Sequence, residues 1–157
     1  MINFLVGLHA GLGELGSILF LWVAIELFNP DSKRINRSSK IAFIGFILLL
    51  ISWLIAGIYY TTDYGANIKP VIKESSNAWA HSVIMESKEH IFIILPFLSL
   101  IVFLLLKNYQ KELLKDNKYR KSLVFLSILI FLIGLSMAFL GYLISSAYRA
   151  ALEVNVV

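Results

Sequence analysis

Cysteine is absent from all 157 residues. Disulfides, thiolate metal sites and c-type haem attachment are therefore excluded, while the compartment stays open. Charge is sparse: 15% of residues are Asp, Glu, Lys or Arg, against about 25% in an ordinary soluble domain. Histidine occurs only at His9, His81 and His90, so imidazole chemistry has three candidate positions. Proline occurs only at Pro30, Pro70 and Pro96, which leaves long stretches free to be helical. The sequence has no nucleophile elbow, no glycine-rich phosphate loop and no HExxH pattern. The common hydrolase chemistries thus lack their residues.

What fills the chain is hydrocarbon. Hydrophobic residues make up 59% and the mean hydropathy is +0.79. Four apolar runs cover residues 2–28, 41–60, 88–107 and 122–148. Each can cross a hydrocarbon core of about 30 Å, which takes roughly 20 helical residues. The expected fold is an all-α four-helix transmembrane bundle, a single domain over residues 1–157. Its spans are expected at about 2–28, 41–60, 78–107 and 122–150, with an extracytoplasmic loop at 61–77 that carries a glycine, a proline and mixed charge. The first run is too long, and too poor in N-terminal positive charge, for a cleaved leader, and reads as a retained span. The chain is expected to be integral and multi-pass, in a prokaryotic plasma membrane.

Orientation follows from the basic residues. Lys33, Arg34, Arg37 and Lys40 lie between the first two runs. Lys107, Lys111, Lys115, Lys118, Arg120 and Lys121 lie between the last two. Together they are ten of the fourteen basic residues. The positive-inside rule puts both short loops in the cytoplasm and both termini outside. Orientation and contact with anionic lipid account for these charges. Only Tyr109 and Tyr119 interleave them, too few for a platform that stacks bases, so no nucleic-acid partner is expected.

The first span, GLHAGLGELGSILFLWVAIELF, is the most informative. At 100° per residue, Gly7, Gly11 and Glu14 share one stripe, and His9, Gly13, Gly16 and Phe20 share another, roughly opposite. Small residues at this spacing let helices approach closely in lipid. On a functional reading, His9 faces a flat ligand that the glycines beneath it accommodate. Glu14 lies near mid-membrane, where a carboxylate is costly unless neutral, paired or wet. Its polar neighbours at that depth are Ser52, Trp53, Ser99 and Ser136, none of them basic. A protonated or inward-bonded acid, a proton-relay or quinone-contacting residue, and a subunit contact are all open for Glu14. Glu26, near the cytoplasmic end, can reach the interface and is assigned no function.

The densest chemistry lies in AWAHSVIMESKEH, residues 78–90, which reads as the head of the third span and makes it a rod of about 30 residues. Pro96 within that rod predicts a kink. Glu86 and His90 are four apart and share a helix face, a spacing that suits a metal-ligand pair. His81 is nine residues before His90 and points the other way on an unbroken helix. With the N-terminus outside, His9 and His90 both lie in the outer half. They are the candidate cofactor ligands, with His81 as alternate. Two such imidazoles on two helices, with glycines beside one of them, suit a b-type haem. His9, Glu86 and His90 are the candidate set for a copper, zinc or iron ion.

This outline, with His9 in a glycine-rich first span and His90 at the head of the third, resembles the small four-helix membrane b-type cytochromes. Those proteins normally carry histidine pairs on facing helices, often enough for two haems. Three histidines, none in the cytoplasmic half, imply a single haem near the outer surface. Electrons would enter or leave on that side and could not cross the membrane through this chain alone. The expected function is a membrane redox or metal-binding module, a subunit of an electron-transfer complex. Its partners would be the lipid bilayer and other membrane proteins or further copies of itself. The alternatives are a non-catalytic accessory subunit and a small transporter, though the cytoplasmic halves look too apolar for a polar pathway.

Overall fold

The first helix, α1 (Phe4–Phe28), ends one step before Asn29-Pro30, where the proline ring bars a further turn. The structure, a computed structural model, describes residues 4–154. Asp31 then restarts the chain as a helix cap. Its backbone is extended, at φ −128° and ψ 173°, and its carboxylate accepts the Arg34 N–H at 2.7 Å. The second helix, α2, therefore runs Ser32–Tyr59. It begins well before residue 41, where the apolar run starts, because capping chemistry and not hydropathy sets a helix start.

The segment 61–77, expected as a loop, is helical as far as Lys73. The chain continues from α2 through wide π-helical turns (Tyr60–Ile68) into a short helix α3 (Lys69–Lys73). The result is a 42-residue rod from Ser32 to Lys73. The residues read as breakers do not break it. Pro70 sits in the first turn of α3, where its missing N–H is not needed. Asn67 Nδ2 donates to Asp63 Oδ1 at 2.8 Å across one turn. Thr61 and Thr62 donate back to carbonyls of the preceding turn.

After a turn at Glu74–Trp79, further π-helical turns (Ala80–Met85) lead into α4 (Glu86–Asn108). Helix α4 runs on through Pro96, whose carbonyl accepts the Ser99 hydroxyl at 2.8 Å. A short helix α5 (Gln110–Lys115) precedes α6 (Asn117–Val154), which Asp116 introduces by accepting the Lys118 N–H at 2.7 Å. Among the described residues no strand occurs, and four helical segments are long and apolar enough to span a membrane.

Around the bundle α1 packs on α2, α2 on α4, α4 on α6, and α6 back on α1. Large side chains such as Phe28, Phe97, Phe125 and Phe139 stand exposed on its outside. That surface suits lipid, in which an apolar exterior costs nothing. One close approach uses the His9 stripe of α1. A Cβ on Gly16 would lie 2.9 Å from Leu49 and 3.2 Å from the Gly45 carbonyl. One on Gly45 would lie 2.8 Å from the Phe20 ring. Gly7 and Gly11, on the other stripe, have nothing within 4 Å. Gly16, beneath His9, is thus packed against α2, while Gly13 meets Ser52 at the edge of the space between the helices.

Candidate functional site

A cavity of about 1170 Å³ opens between α1, α2, α4 and α6, in the half that holds the start of α1 and the π-helical turns. Ligand pockets run to about 300–1,000 Å³, so it can hold a large ligand. His9 lines it from α1, Trp53 and Tyr59 from α2, Lys88, Glu89 and Phe92 from α4, and Met137 and Gly141 from α6.

His9 is held by Ser52. Its Nδ1 lies 3.0 Å from the Ser52 carbonyl and 2.9 Å from the Ser52 hydroxyl, which itself donates to the His9 carbonyl at 2.8 Å. A carbonyl can only accept, so Nδ1 carries the proton and Nε2 keeps its lone pair. Nε2 makes no hydrogen bond with the described residues. The Phe92 ring meets the imidazole edge-on, with centroids 5.2 Å apart and an interplanar angle of 83°. An imidazole whose N–H is bonded to a carbonyl, with the other nitrogen free, is the arrangement in which histidine binds a metal.

The other expected ligands do not join it. His90 is exposed, and its Nδ1 donates at 2.6 Å to the backbone carbonyl of Glu86, one turn back on its own helix. Glu86 is exposed as well. The i,i+4 spacing of this pair therefore joins a ring to a backbone, not to a carboxylate. Among the described residues no three of His, Asp and Glu gather as a metal-binding group. His81 is buried, at 3% exposure, and lies among the π-helical turns before α4, where its Nδ1 is 3.1 Å from the Tyr64 hydroxyl. The Tyr60 ring stacks on that of Tyr64, with centroids 5.4 Å apart. Tyr59, Tyr60 and Tyr64 form an aromatic wall at that end of the cavity.

Glu14 is exposed at the cavity margin and forms no hydrogen bond or ion pair with the described residues. Its expected polar neighbours are engaged elsewhere: Ser52 with His9, Ser99 with Pro96, and Ser136 with Leu132. Only Trp53 lines the same cavity.

Two polar groups take positions that the sequence reading did not assign them. Glu26 is 4% exposed. Its carboxylate takes Arg37 Nη2 at 2.7 Å, Arg34 Nε at 3.2 Å and Trp22 Nε1 at 3.0 Å, which clamps α1 to the start of α2. The signal was present, because a three-residue turn after Phe28 brings Glu26 beside arginines 8 and 11 positions on. The second is the Lys88–Glu89 step. Lys88 precedes Phe92 by one turn and shares its inward face, while Glu89 Oε1 is buried without a hydrogen-bond partner among the described residues. No family model, no curated protein and no solved structure matches this sequence.

Proposed function

We propose that this integral membrane protein is a redox module holding a b-type haem in the cavity, with His9 Nε2 as the ligand to iron. The observation that carries the reading is the Ser52 anchor, which sets the His9 tautomer and leaves a free nitrogen lone pair at a large, mostly apolar cavity. Met137 supplies a thioether to the same cavity and is the candidate second ligand. The haem supplies one-electron chemistry when bound. The chain's part is to bind through His9, to orient that ring through Ser52 and Phe92, and to exclude water with Leu49 and Leu95.

The basic segments 29–40 and 107–121 are placed in the cytoplasm and both termini outside, so the cavity lies in the outer half. A single haem there exchanges electrons on the outer side and needs a partner to carry them across. The chain is accordingly read as a subunit of an electron-transfer complex. The unpartnered, exposed Glu14 supports a contact with another membrane protein, because lipid does not tolerate a lone carboxylate. The same observation favours the second reading, a non-catalytic accessory subunit.

Reduced-minus-oxidised spectra of the detergent-purified protein, with metal analysis on the same sample, test the proposal. A Soret shift with α and β bands is expected. His9→Ala should abolish it and His90→Ala should leave it intact. A flat spectrum after haem addition, or equal loss in both variants, overturns the proposal.

A further inference from the structure

Lys88 is a cation that lines the cavity and makes no ion pair with the described residues. It lies about 6 Å outward of Phe92, one helical turn on the same face, and so just outward of His9. Its Nζ comes within 3.2 Å of where a Cβ on Gly141 would sit, so the side chain crosses the bundle to α6 and does not reach outward. Lysines in membrane helices usually snorkel to the interface, which costs little. This ammonium is partly buried among apolar walls instead. No ion pair within 4.0 Å joins Lys88 to a carboxylate among the described residues. Glu89, the next residue, lines the same cavity and its charge acts on Lys88, but successive residues diverge by 100° around a helix and the two side chains form no ion pair. An inward ammonium with no carboxylate in ion-pair contact fits an anionic group on whatever the cavity binds.

We infer that Lys88 pairs with a carboxylate of the cavity ligand and thereby sets its direction. The charged edge lies outward beside Lys88 and Gly141, and the apolar edge lies inward against Leu49, Leu95 and Met137. This rests on the haem reading, in which the ligand's two propionates are the carboxylates concerned. Gly141 borders the ammonium, since a Cβ there would lie 3.2 Å from Nζ, tighter than ordinary contact.

The test titrates the full-length protein in detergent with ferric haem and with haem dimethyl ester, in which both carboxylates are blocked. Wild type is expected to bind haem roughly 10- to 100-fold more tightly than the ester, the range of a charge-assisted contact. Lys88→Met should lose that preference by weakening haem and not the ester. Lys88→Arg should keep it, and His9→Ala should lose both ligands. The ester probes the contact on unaltered protein, so a variant that folds poorly does not blunt the test. Equal binding of haem and ester by wild type, or an unchanged ratio in Lys88→Met, overturns the Lys88 assignment and leaves the His9 reading standing. Failure of wild type to bind either ligand overturns both.

Discussion

Where α1 turns into α2, the bundle is closed: Leu27, Ile35 and Leu106 are fully buried, and the carboxylate of Glu26 is held by two arginines. At the opposite end the same four helices enclose a cavity of about 1170 Å³ lined by histidine, lysine, glutamate and tyrosines. The helices are continuous through both ends, so the difference is not one of fold. It lies in which residues meet at the seams. In the middle, Gly16 faces Gly45, and Ser17 fills the place beside Gly134, so backbones touch. Towards the other end, the chain after α2 and the chain before α4 loosen into π-helical turns. Wide turns displace side chains from the regular register and often accompany functional sites. The closed end holds the bundle together, and the hollow end is free to bind.

The largest effect should come from breaking the closed end. In Arg34→Ala/Arg37→Ala, Glu26 stays buried without its cations. Removing one side of a buried pair costs about 3–5 kcal/mol, and Arg37 at 54% side-chain exposure is screened, so a loss of about 2–3 kcal/mol is expected. Adding Glu26→Leu should recover most of it, because the buried charge is then gone. Thermal unfolding in detergent measures both. Ligand binding by the folded double variant should be unchanged, since the cavity lies at the other end. A matching loss of binding would show that the two halves are coupled.

Ser52→Ala sharpens the contrast from the hollow side. It removes a hydroxyl that donates to the His9 carbonyl, worth about 1 kcal/mol of stability. The backbone carbonyl of Ser52 still holds Nδ1, so the tautomer survives, but the ring loses its second restraint. Loss of such a supporting contact lowers metal-site affinity by roughly 10- to 100-fold. Haem titration of Ser52→Ala beside wild type is therefore expected to show a binding defect out of proportion to its small shift in melting temperature. A defect no larger than the stability loss would mean that Ser52 only packs the seam.

The two halves also differ in how far the sequence revealed them. The spans were legible because bilayer thickness sets a length that hydropathy can match. The sequence also put His9 and the head of the third span at one end of the bundle, and the Phe92 ring meets His9 there. Facing was not legible. His9 and His90 share a depth, yet one turns inward between α2 and α4 and the other outward over its own helix. Only the packing partners decide that. Ser52 was visible as a mid-membrane hydroxyl, but its distance to Glu14 or His9 depends on how α1 rotates against α2. Gly16 and Gly45 set that rotation jointly, and neither reveals it alone. The stretch after Tyr60 was misread because Gly65 and Pro70 break helices on average, while here Pro70 opens one and Gly65 keeps a helical backbone with no positive φ.

Asp31 gives the smallest expected effect, and it separates the ends by pH. Its carboxylate is exposed and lies outside the spans. Accepting the Arg34 backbone N–H holds its pKa below the usual value, aided by the charges of Arg34 and Lys33. A carboxylate whose folded pKa is depressed stabilises the fold above its unfolded pKa, and that stabilisation disappears as pH falls through the folded value. Asp31→Asn should therefore melt slightly below wild type at neutral pH, with the gap closing in acid below the ordinary carboxylate range. Asparagine is itself a good cap, so the gap is expected to be small and to come from charge, not from the hydrogen bond. A gap that persists unchanged into acid would assign the effect to geometry. The turn at the closed end would then owe its stability to shape, and Glu26 with its arginines would remain the only electrostatic clamp identified there.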